Sequence, residues 1–251
     1  MSGDVKHTAL TSEAQTALLS KIIARAIRAP GRPPPVVVFD LDGTLMDNRP
    51  RSLAILLEIA GVWGDREPEV ADRLRTATPQ GLAYLFHESL HRLGITRTDL
   101  VAEAEEYWRA RFFRDEHLVH DVPLPGSVAF AKACYEAGAV LVYLTGRDLP
   151  LMGLGTFRSL RDLGFPIGVA GTEVILKPDA AMPDEAFKRI AAPELTRVGT
   201  VIASFDNEPG NCNVFLSTYP ECNSVLVDSQ CMPGAPPLSP GVSVITDFRR
   251  G

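Results

Sequence analysis

Short apolar runs rich in valine and isoleucine alternate with helical segments along most of the chain, and this alternation constrains the fold most. The runs lie at residues 36–39, 139–144, 174–176, 200–205, 225–227 and 242–245. Because they lack alternating polar residues, they predict strands that are buried on both faces. The helical segments between them include two that end at Gly138 and Gly164. Strands that alternate with helices predict an α/β fold, a Rossmann-like, doubly wound parallel sheet.

One long interval interrupts this rhythm between the first and second predicted strands. Residues 46–121 contain no convincing strand but at least three helical segments, at residues 51–60, 80–93 and 97–116. The interval is too long for a surface loop, so it predicts an inserted α-helical domain. Residues 36–45 and 122–251 then form the core of the protein.

The N-terminal region is predicted to be a separate helical extension. Residues 12–28 place apolar side chains at helical spacing, and a proline-rich break follows them. We expect residues 1–35 to form a helix and a linker that lie outside the main fold.

The composition of the chain limits which binding partners and which cellular compartment we expect. The chain carries 25 Lys and Arg against 31 Asp and Glu, a formal net charge of −6, which gives no general attraction to nucleic-acid backbones or anionic lipid. No stretch approaches 18 uninterrupted apolar residues. The four cysteines form no Cys-x-x-Cys pair, which favours free thiols. We therefore expect a soluble cytoplasmic protein with no membrane partner.

Two aspartates directly follow the first predicted strand. Asp40 and Asp42 stand beside Gly43, and the carboxyl ends of strands are where an open parallel sheet binds ligands. Two carboxylates forced together raise the pKa of one of them unless a cation intervenes. Asp40 could then be a metal-held nucleophile and Asp42 a proton donor and acceptor. The structural alternative is a turn in which both aspartates cap backbone amides.

Polar residues also follow three later strands. Thr145 and Gly146 offer a hydroxyl and a backbone N–H that could hold a phosphate oxygen, or form a plain turn. Lys177 is either a surface lysine or a cation that neutralises a phosphate. Asp206, followed by Asn207, could complete an oxygen site for Mg²⁺.

As a set, these elements resemble the haloacid dehalogenase superfamily. The resemblance covers about residues 36–248 and rests on Asp40-x-Asp42-Gly43-Thr44, Thr145, Lys177 and Asp206, which occur in the same order and at comparable spacings. It implies a Rossmann-like core, a helical cap of the C1 type inserted after the first strand, and phosphoryl transfer through an aspartyl-phosphate. Members with phosphatase activity carry an aspartate two places after the nucleophile, as Asp42 does here.

The resemblance also implies a role for each matching residue. Asp40 would be nucleophile and metal ligand, and Asp42 would be general acid and base and would bind metal through its backbone carbonyl. The phosphoryl group would be held by Thr145, Gly146 and Lys177, and Mg²⁺ by Asp206 together with Asn207, Glu208 or Asn211. The implied substrate is a small phosphorylated molecule, with nucleic acid a substrate only as a phosphorylated end.

Two other functions compete with a phosphatase. His87-Glu88-Ser89-Leu90-His91 matches the H-E-x-x-H pattern of zinc peptidases on a predicted helix. Arg97 stands where the longer pattern of one such family needs a third histidine. The other alternative is a non-catalytic binding scaffold with the same fold.

Overall fold

All six predicted strands are present in the computed structural model, which describes residues 7–251. The strands are β1 (Pro35–Phe39), β2 (Met46–Asp47), β3 (Val122–Pro123), β4 (Val140–Asp148), β5 (Thr172–Lys177), β6 (Thr200–Asp206), β7 (Asn223–Val227) and β8 (Ser243–Ile245). The helices are α1 (Ser12–Arg25), α2 (Arg49–Trp63), α3 (Pro68–Arg75), α4 (Phe86–Arg92), α5 (Thr98–Phe112), α6 (Ser127–Glu136), α7 (Leu149–Leu163), α8 (Asp184–Glu194) and α9 (Pro209–Thr218).

Six parallel strands form the main sheet, in the order β5-β4-β1-β6-β7-β8. The central strand β1 is buried on both faces: Val37 and Phe39 belong to one apolar cluster, and Val36 and Val38 belong to another. Helices α1, α6 and α7 contribute to the first cluster, and α8 and α9 to the second. The fold is therefore a Rossmann-like, doubly wound α/β sheet.

Helix α1 belongs to the core and does not lie outside the main fold as the sequence suggested. Leu19 and Ile22 are fully buried in the cluster that covers one face of the sheet. Gln15 donates a hydrogen bond to Asp247, and Arg25 donates one to the carbonyl of Ile202. The proline-rich break misled the prediction, because it only turns the chain from α1 back into β1.

The helical insertion has a hydrophobic core of its own. Ile55, Trp63, Leu90 and Ala104 are among its buried residues, and they come from helices α2, α4 and α5. The insertion begins and ends at a two-stranded antiparallel ribbon in which β2 pairs with β3. Both connections to the main sheet therefore run side by side.

Two predicted elements have different bounds in the structure. The helix expected over residues 80–93 is reduced to a 3-10 turn at Pro79–Gly81 and helix α4. Ser89 Oγ accepts a hydrogen bond from the backbone N–H of Ala83, and this side-chain contact competes with helical pairing. Strand β4 continues beyond residue 144 to Asp148 after an irregularity in its pairing with β5.

Among residues 7–251, no helix combines the length and the apolar character needed to cross a membrane. Cys134, Cys212 and Cys222 are buried thiols. Burial raises the pKa of Cys134 to about 12 and that of Cys222 to about 11.

Gly126 lies in close contact with the backbone of Phe248 near the C-terminus. It starts helix α6 with φ of 80°, and a Cβ at this position would lie 2.5 Å from the backbone carbon of Phe248. Gly31 has a similar φ of 72°, but nothing lies within 4 Å of the corresponding Cβ position.

We expect Gly31→Ala to lower the free energy of unfolding by about 1–2 kcal/mol, the cost of a left-handed backbone conformation. Gly126→Ala should cost about 1–3 kcal/mol more, because a backbone neighbour must also move. Urea denaturation of both variants measures the difference. Equal losses would contradict the proposed close contact with Phe248.

Candidate active site

Three of the polar residues singled out in the sequence lie at one edge of the main sheet. Asp40 follows β1, Thr145 lies near the end of β4, and Asp206 ends β6. Strand β1 pairs with both β4 and β6 in parallel, so the carboxyl ends of the three strands meet. Asp40, Thr145 and Asp206 are buried.

A lysine that sequence reasoning missed joins two of these residues. The Lys188 ammonium lies 2.7 Å from Asp40 Oδ1 and 2.6 Å from Asp206 Oδ2. Lys188 projects from helix α8 and is buried. A signal was present in the sequence, since Lys188, Ala192 and Leu195 follow the helical spacing of a buried face, and the latter two are fully buried.

Burial and neighbouring charges shift the protonation equilibria of this group. Burial raises the pKa of Asp40 to about 7; Lys188 acts in the opposite direction, and Asp206 raises the pKa further. Burial alone would lower the pKa of Lys188, but Asp206 and Asp40 outweigh it and hold the pKa above its usual range. The ammonium is therefore charged, and it opposes the effect of burial on the pKa of Asp40.

Further hydrogen bonds fix the orientation of both carboxylates. Asp40 Oδ2 accepts one from Thr44 Oγ1 at 3.1 Å. Asp206 Oδ1 accepts one from Asn211 Nδ2 and one from the backbone N–H of Glu208, both at 3.0 Å. Asn211 and the Glu208 amide thus support Asp206.

Asn207 supports the turn after β1. Its Oδ1 lies 3.2 Å from Thr44 Oγ1, and its Nδ2 donates to the carbonyl of Gln230 at 2.6 Å. Gly43 has φ of 76°, and a Cβ there would lie 2.6 Å from Asn207 Nδ2. Glycine is required at this position both by its backbone conformation and by the close approach of Asn207.

Lys177 lies on the wall of the same cavity as Asp40, but its ammonium contacts other groups. Its Nζ lies 2.6 Å from Asp184 Oδ1 and 2.9 Å from the carbonyl oxygen of Met182. The Asp184 carboxylate also packs against Gly146, where a Cβ would collide with it. The cation between the strand-end carboxylates is Lys188, and Lys177 is paired with a carboxylate whose side chain is 59% exposed.

Asp42 faces a different set of neighbours from Asp40. Its Oδ2 accepts a hydrogen bond from Arg147 Nε at 2.7 Å, and its Oδ1 accepts from Arg147 Nη2 at 3.0 Å and Arg51 Nη2 at 2.6 Å. Asp121 accepts hydrogen bonds from both arginines. The donors are Nε and Nη2 of Arg51 and Nη2 of Arg147. We call Asp42, Arg51, Asp121 and Arg147 the tetrad.

The tetrad determines the charge state of Asp42. Burial alone would raise the pKa of Asp42, but Arg147 and Arg51 outweigh burial and hold it well below its usual range. Sequence reasoning left the role of Arg147 open and did not single out Arg51 or Asp121. Arg51 could have been found, because it precedes Ile55 and Ile59 on the buried stripe of helix α2.

The residues around Asp40 fit a Mg²⁺ ion. When both are ionised, Asp40 and Asp206 carry two negative charges against the single charge of Lys188, and the group then has a net attraction for a cation. Mg²⁺ prefers oxygen ligands and keeps several waters, so it needs only one or two carboxylates from the protein. Within residues 7–251, no group of three or more His, Cys, Asp or Glu side chains has the geometry of a metal site.

The H-E-x-x-H segment lies on helix α4, and His87 lines the same cavity as Asp40. His87 Nδ1 lies 3.2 Å from Glu105 Oε1, and the rings of His87 and His91 are 5.9 Å apart. The described part of the chain offers no third side chain that would complete a zinc site with them.

One cavity of about 1110 Å³ contains the candidate site. Its floor includes Asp40, Asp42, Thr145, Lys188 and Asp206, and the helical insertion contributes aromatic residues to its wall: Tyr84, Phe86, Trp108, Phe112 and Phe113. The insertion also bonds the core directly, since Gln230 Nε2 donates to the carbonyl of Leu82 at 2.7 Å. The cavity is therefore large enough for a phosphoryl group and an organic leaving group.

No protein-family model matches the chain, and no curated protein matches its sequence. Solved structures do resemble it. A candidate phosphatase from Clostridium difficile superposes with a TM-score of 0.51 at 16% identity, over 77% of this chain and 84% of that protein. A haloacid dehalogenase superfamily hydrolase of subfamily IA from Geobacter sulfurreducens superposes with a TM-score of 0.50 at 17% identity, over 85% of this chain and 92% of that protein.

Both similarities are too low in sequence identity to carry more than a fold. The order of the strands, the site at their carboxyl ends and these structural neighbours agree, and the chain has the fold of the haloacid dehalogenase superfamily of hydrolases and phosphatases.

Proposed function

We propose that the protein is a Mg²⁺-dependent phosphatase that hydrolyses a phosphate monoester through an aspartyl-phosphate. The observation that carries this proposal is the buried ion pair of Lys188 with Asp40 and Asp206, which lies at the carboxyl ends of adjacent strands beside Thr145. Perturbed titratable groups concentrated at one cavity are typical of a catalytic site.

In the first step, a carboxylate oxygen of Asp40 attacks the phosphorus atom. A bond forms between that oxygen and phosphorus, and the bond from phosphorus to the leaving oxygen breaks. Asp42, which the tetrad holds ionised, takes the proton of the phosphate monoanion and passes it to the leaving oxygen. Thr145 Oγ1 accepts a hydrogen bond from the Arg147 amide, which leaves its own proton for a phosphate oxygen. Lys188 neutralises charge on the transferring group.

In the second step, a water molecule attacks the phosphorus atom of the aspartyl-phosphate. Asp42 takes a proton from this water and passes it to the departing phosphate, the bond between phosphorus and the Asp40 oxygen breaks, and inorganic phosphate leaves. Asp42 therefore accepts one proton and passes it on in each step. The cycle restores both aspartates.

The metal would be held by the carboxylates of Asp40 and Asp206 and the backbone carbonyl of Asp42. When bound, Mg²⁺ supplies positive charge that offsets the negative charge on the phosphoryl oxygens. Asn207 keeps the turn around this position closed through Thr44 and Gln230.

The substrate class follows from the cavity. Its floor carries the phosphoryl chemistry, and its wall comes from the insertion, which we propose acts as a cap that selects the leaving group. We therefore propose a small phosphorylated molecule as substrate, with a phosphorylated nucleic-acid end as the form in which a polynucleotide could enter. A non-catalytic scaffold is the alternative, and it predicts no phosphate release from any ester.

The nucleophile is tested by Asp40→Asn. We expect kcat to fall by far more than tenfold, a loss above about 1.4 kcal/mol, because an amide cannot form the acyl phosphate. The control is Asp47→Asn, since Asp47 lines the same cavity but pairs with Arg49, and it should keep most of its activity. If Asp40→Asn retained more than a tenth of the wild-type kcat, Asp40 would not be the nucleophile.

The metal is tested by calorimetry as well as by activity. Mg²⁺ at a hundred times its Kd should stabilise the wild-type protein by about 2.7 kcal/mol and so raise its Tm. Asp206→Asn should remove most of this rise in Tm. Ca²⁺ should activate poorly, because its longer bonds and looser geometry misplace the phosphoryl group. Full turnover after exhaustive chelation would exclude a metal-dependent mechanism.

The roles of the two lysines are separated by Lys188→Met and Lys177→Met. Lys188→Met leaves two buried carboxylates without their cation, so we expect a loss of stability of about 3–5 kcal/mol and a loss of turnover. Lys177→Met should cost far less stability, because its partner Asp184 is largely exposed to water. Thermal unfolding measures the loss of stability, and kcat measures the loss of turnover. If Lys177→Met lost more turnover than Lys188→Met, Lys177 would be the residue that binds the phosphoryl group.

A further inference from the structure

The tetrad connects the helical insertion to the residue that we place in proton transfer. Arg51 lies in the first turn of helix α2 and Asp121 at the far end of the insertion, whereas Asp42 and Arg147 belong to the core. Two of its ion pairs cross between insertion and core, from Arg51 to Asp42 and from Asp121 to Arg147. The cluster therefore exists only while the base of the insertion lies against the core.

Burial differs sharply within the tetrad. The side chains of Arg51, Asp121 and Arg147 are at most 1% exposed, whereas that of Asp42 is 26% exposed and lines the cavity. Three members are thus sealed from water, and Asp42 alone presents an accessible carboxylate. Two buried arginines and two aspartates balance one another in charge.

The two oxygens of Asp42 are used unequally. Oδ1 accepts hydrogen bonds from Arg51 Nη2, Arg147 Nη2 and Asn48 Nδ2. Oδ2 accepts one, from Arg147 Nε. Because a carboxylate oxygen has two lone pairs, Oδ1 is saturated and Oδ2 keeps one for proton exchange.

Asp121 makes this arrangement possible. Its Oδ2 lies 2.5 Å from Arg51 Nη2 and 2.7 Å from Arg147 Nη2, so it separates two guanidinium groups that also share Asp42 Oδ1. Without this carboxylate, both positive charges would depend on Asp42 alone. Asp42 would then be drawn toward the arginines or released from a fixed orientation.

We propose that Asp121 is a positioning residue for catalysis: with Arg51 and Arg147 it holds Asp42 so that Oδ2 is left for proton transfer, and it does so while the base of the insertion lies against the core. This inference rests on the proposed phosphatase function. It assigns to Asp121, which does not line the cavity, an effect on one chemical event, the protonation of the leaving oxygen.

The test compares Asp121→Asn with Asp115→Asn. Asp115 is a matched control, because it also lies in the insertion and bonds the core, accepting from the backbone N–H of Gly155 at 2.6 Å. The substrates are p-nitrophenyl phosphate and phenyl phosphate, which are similar in shape, but nitrophenolate leaves without help from an acid. The measured quantity is kcat/KM, which reports steps up to the release of the leaving group.

We expect Asp121→Asn to lower kcat/KM for phenyl phosphate at least about tenfold more than for p-nitrophenyl phosphate, since proton donation contributes about 10²–10⁴-fold to such steps. Asp115→Asn should change the two esters equally. Equal losses on both esters in Asp121→Asn, or no loss on either, would overturn the positioning role. Absence of phosphate release by the wild-type protein from either ester would instead overturn the proposed function.

A second variant keeps the test valid if Asp121→Asn fails to fold. The double variant Arg51→Met with Asp121→Leu removes one charge of each sign and leaves Asp42 paired with Arg147. Thermal unfolding shows whether it is folded. We expect the same selective loss on phenyl phosphate, and a folded double variant with wild-type preference between the two esters would overturn the inference.

Discussion

A single buried ammonium group organises the edge of the sheet on which the candidate site depends. Lys188 lies between Asp40 and Asp206, which end adjacent parallel strands. Two carboxylates at this separation would repel each other strongly in a buried environment, and one cation removes most of that cost without making the group neutral. When both carboxyls are ionised, one negative charge therefore remains on this group. The arrangement of helix α8 against the sheet is therefore part of the chemistry as well as of the packing.

The helical insertion is coupled to this site by charge as well as by its covalent connections. The ribbon of β2 and β3 joins it to the core, and such a ribbon by itself allows the insertion to pivot. Arg51 and Asp121 add two buried ion pairs to the core at the base of the insertion. Buried charges that lose one partner are costly, so opening the insertion must either keep these pairs intact or exchange them for water. Any movement that separates Arg51 from Asp42 would thus also change the surroundings of Asp42.

The sequence predicted the sheet well because strands buried on both faces leave an unmistakable apolar pattern, as residues 36–39 and 200–205 do. Asp40, Thr145 and Asp206 were found for the same reason, since each directly follows such a run. Lys188, Arg51 and Asp121 were missed because a charged residue in an amphipathic segment is usually on the surface. Their burial depends on pairing across long sequence separations, and no local pattern encodes that pairing. The one local indication of burial was that Lys188 and Arg51 stand at helical spacing from apolar residues that are buried.

Asp40 and Asp42 show how neighbours assign different properties to identical side chains on one turn. Asp40 has one ammonium partner shared with a second carboxylate, and burial raises its pKa to about 7. Asp42 has two guanidinium partners that hold its pKa well below the usual range despite burial. Environments that separate the pKa values of two nearby carboxyls are a general way to divide catalytic roles between them. Here the separation comes from burial of Asp40, which Lys188 only partly offsets, and from Arg147 and Arg51 beside Asp42. The electrostatic surroundings of Asp42 therefore depend on a residue from the insertion, Arg51, as well as on Arg147 from the core.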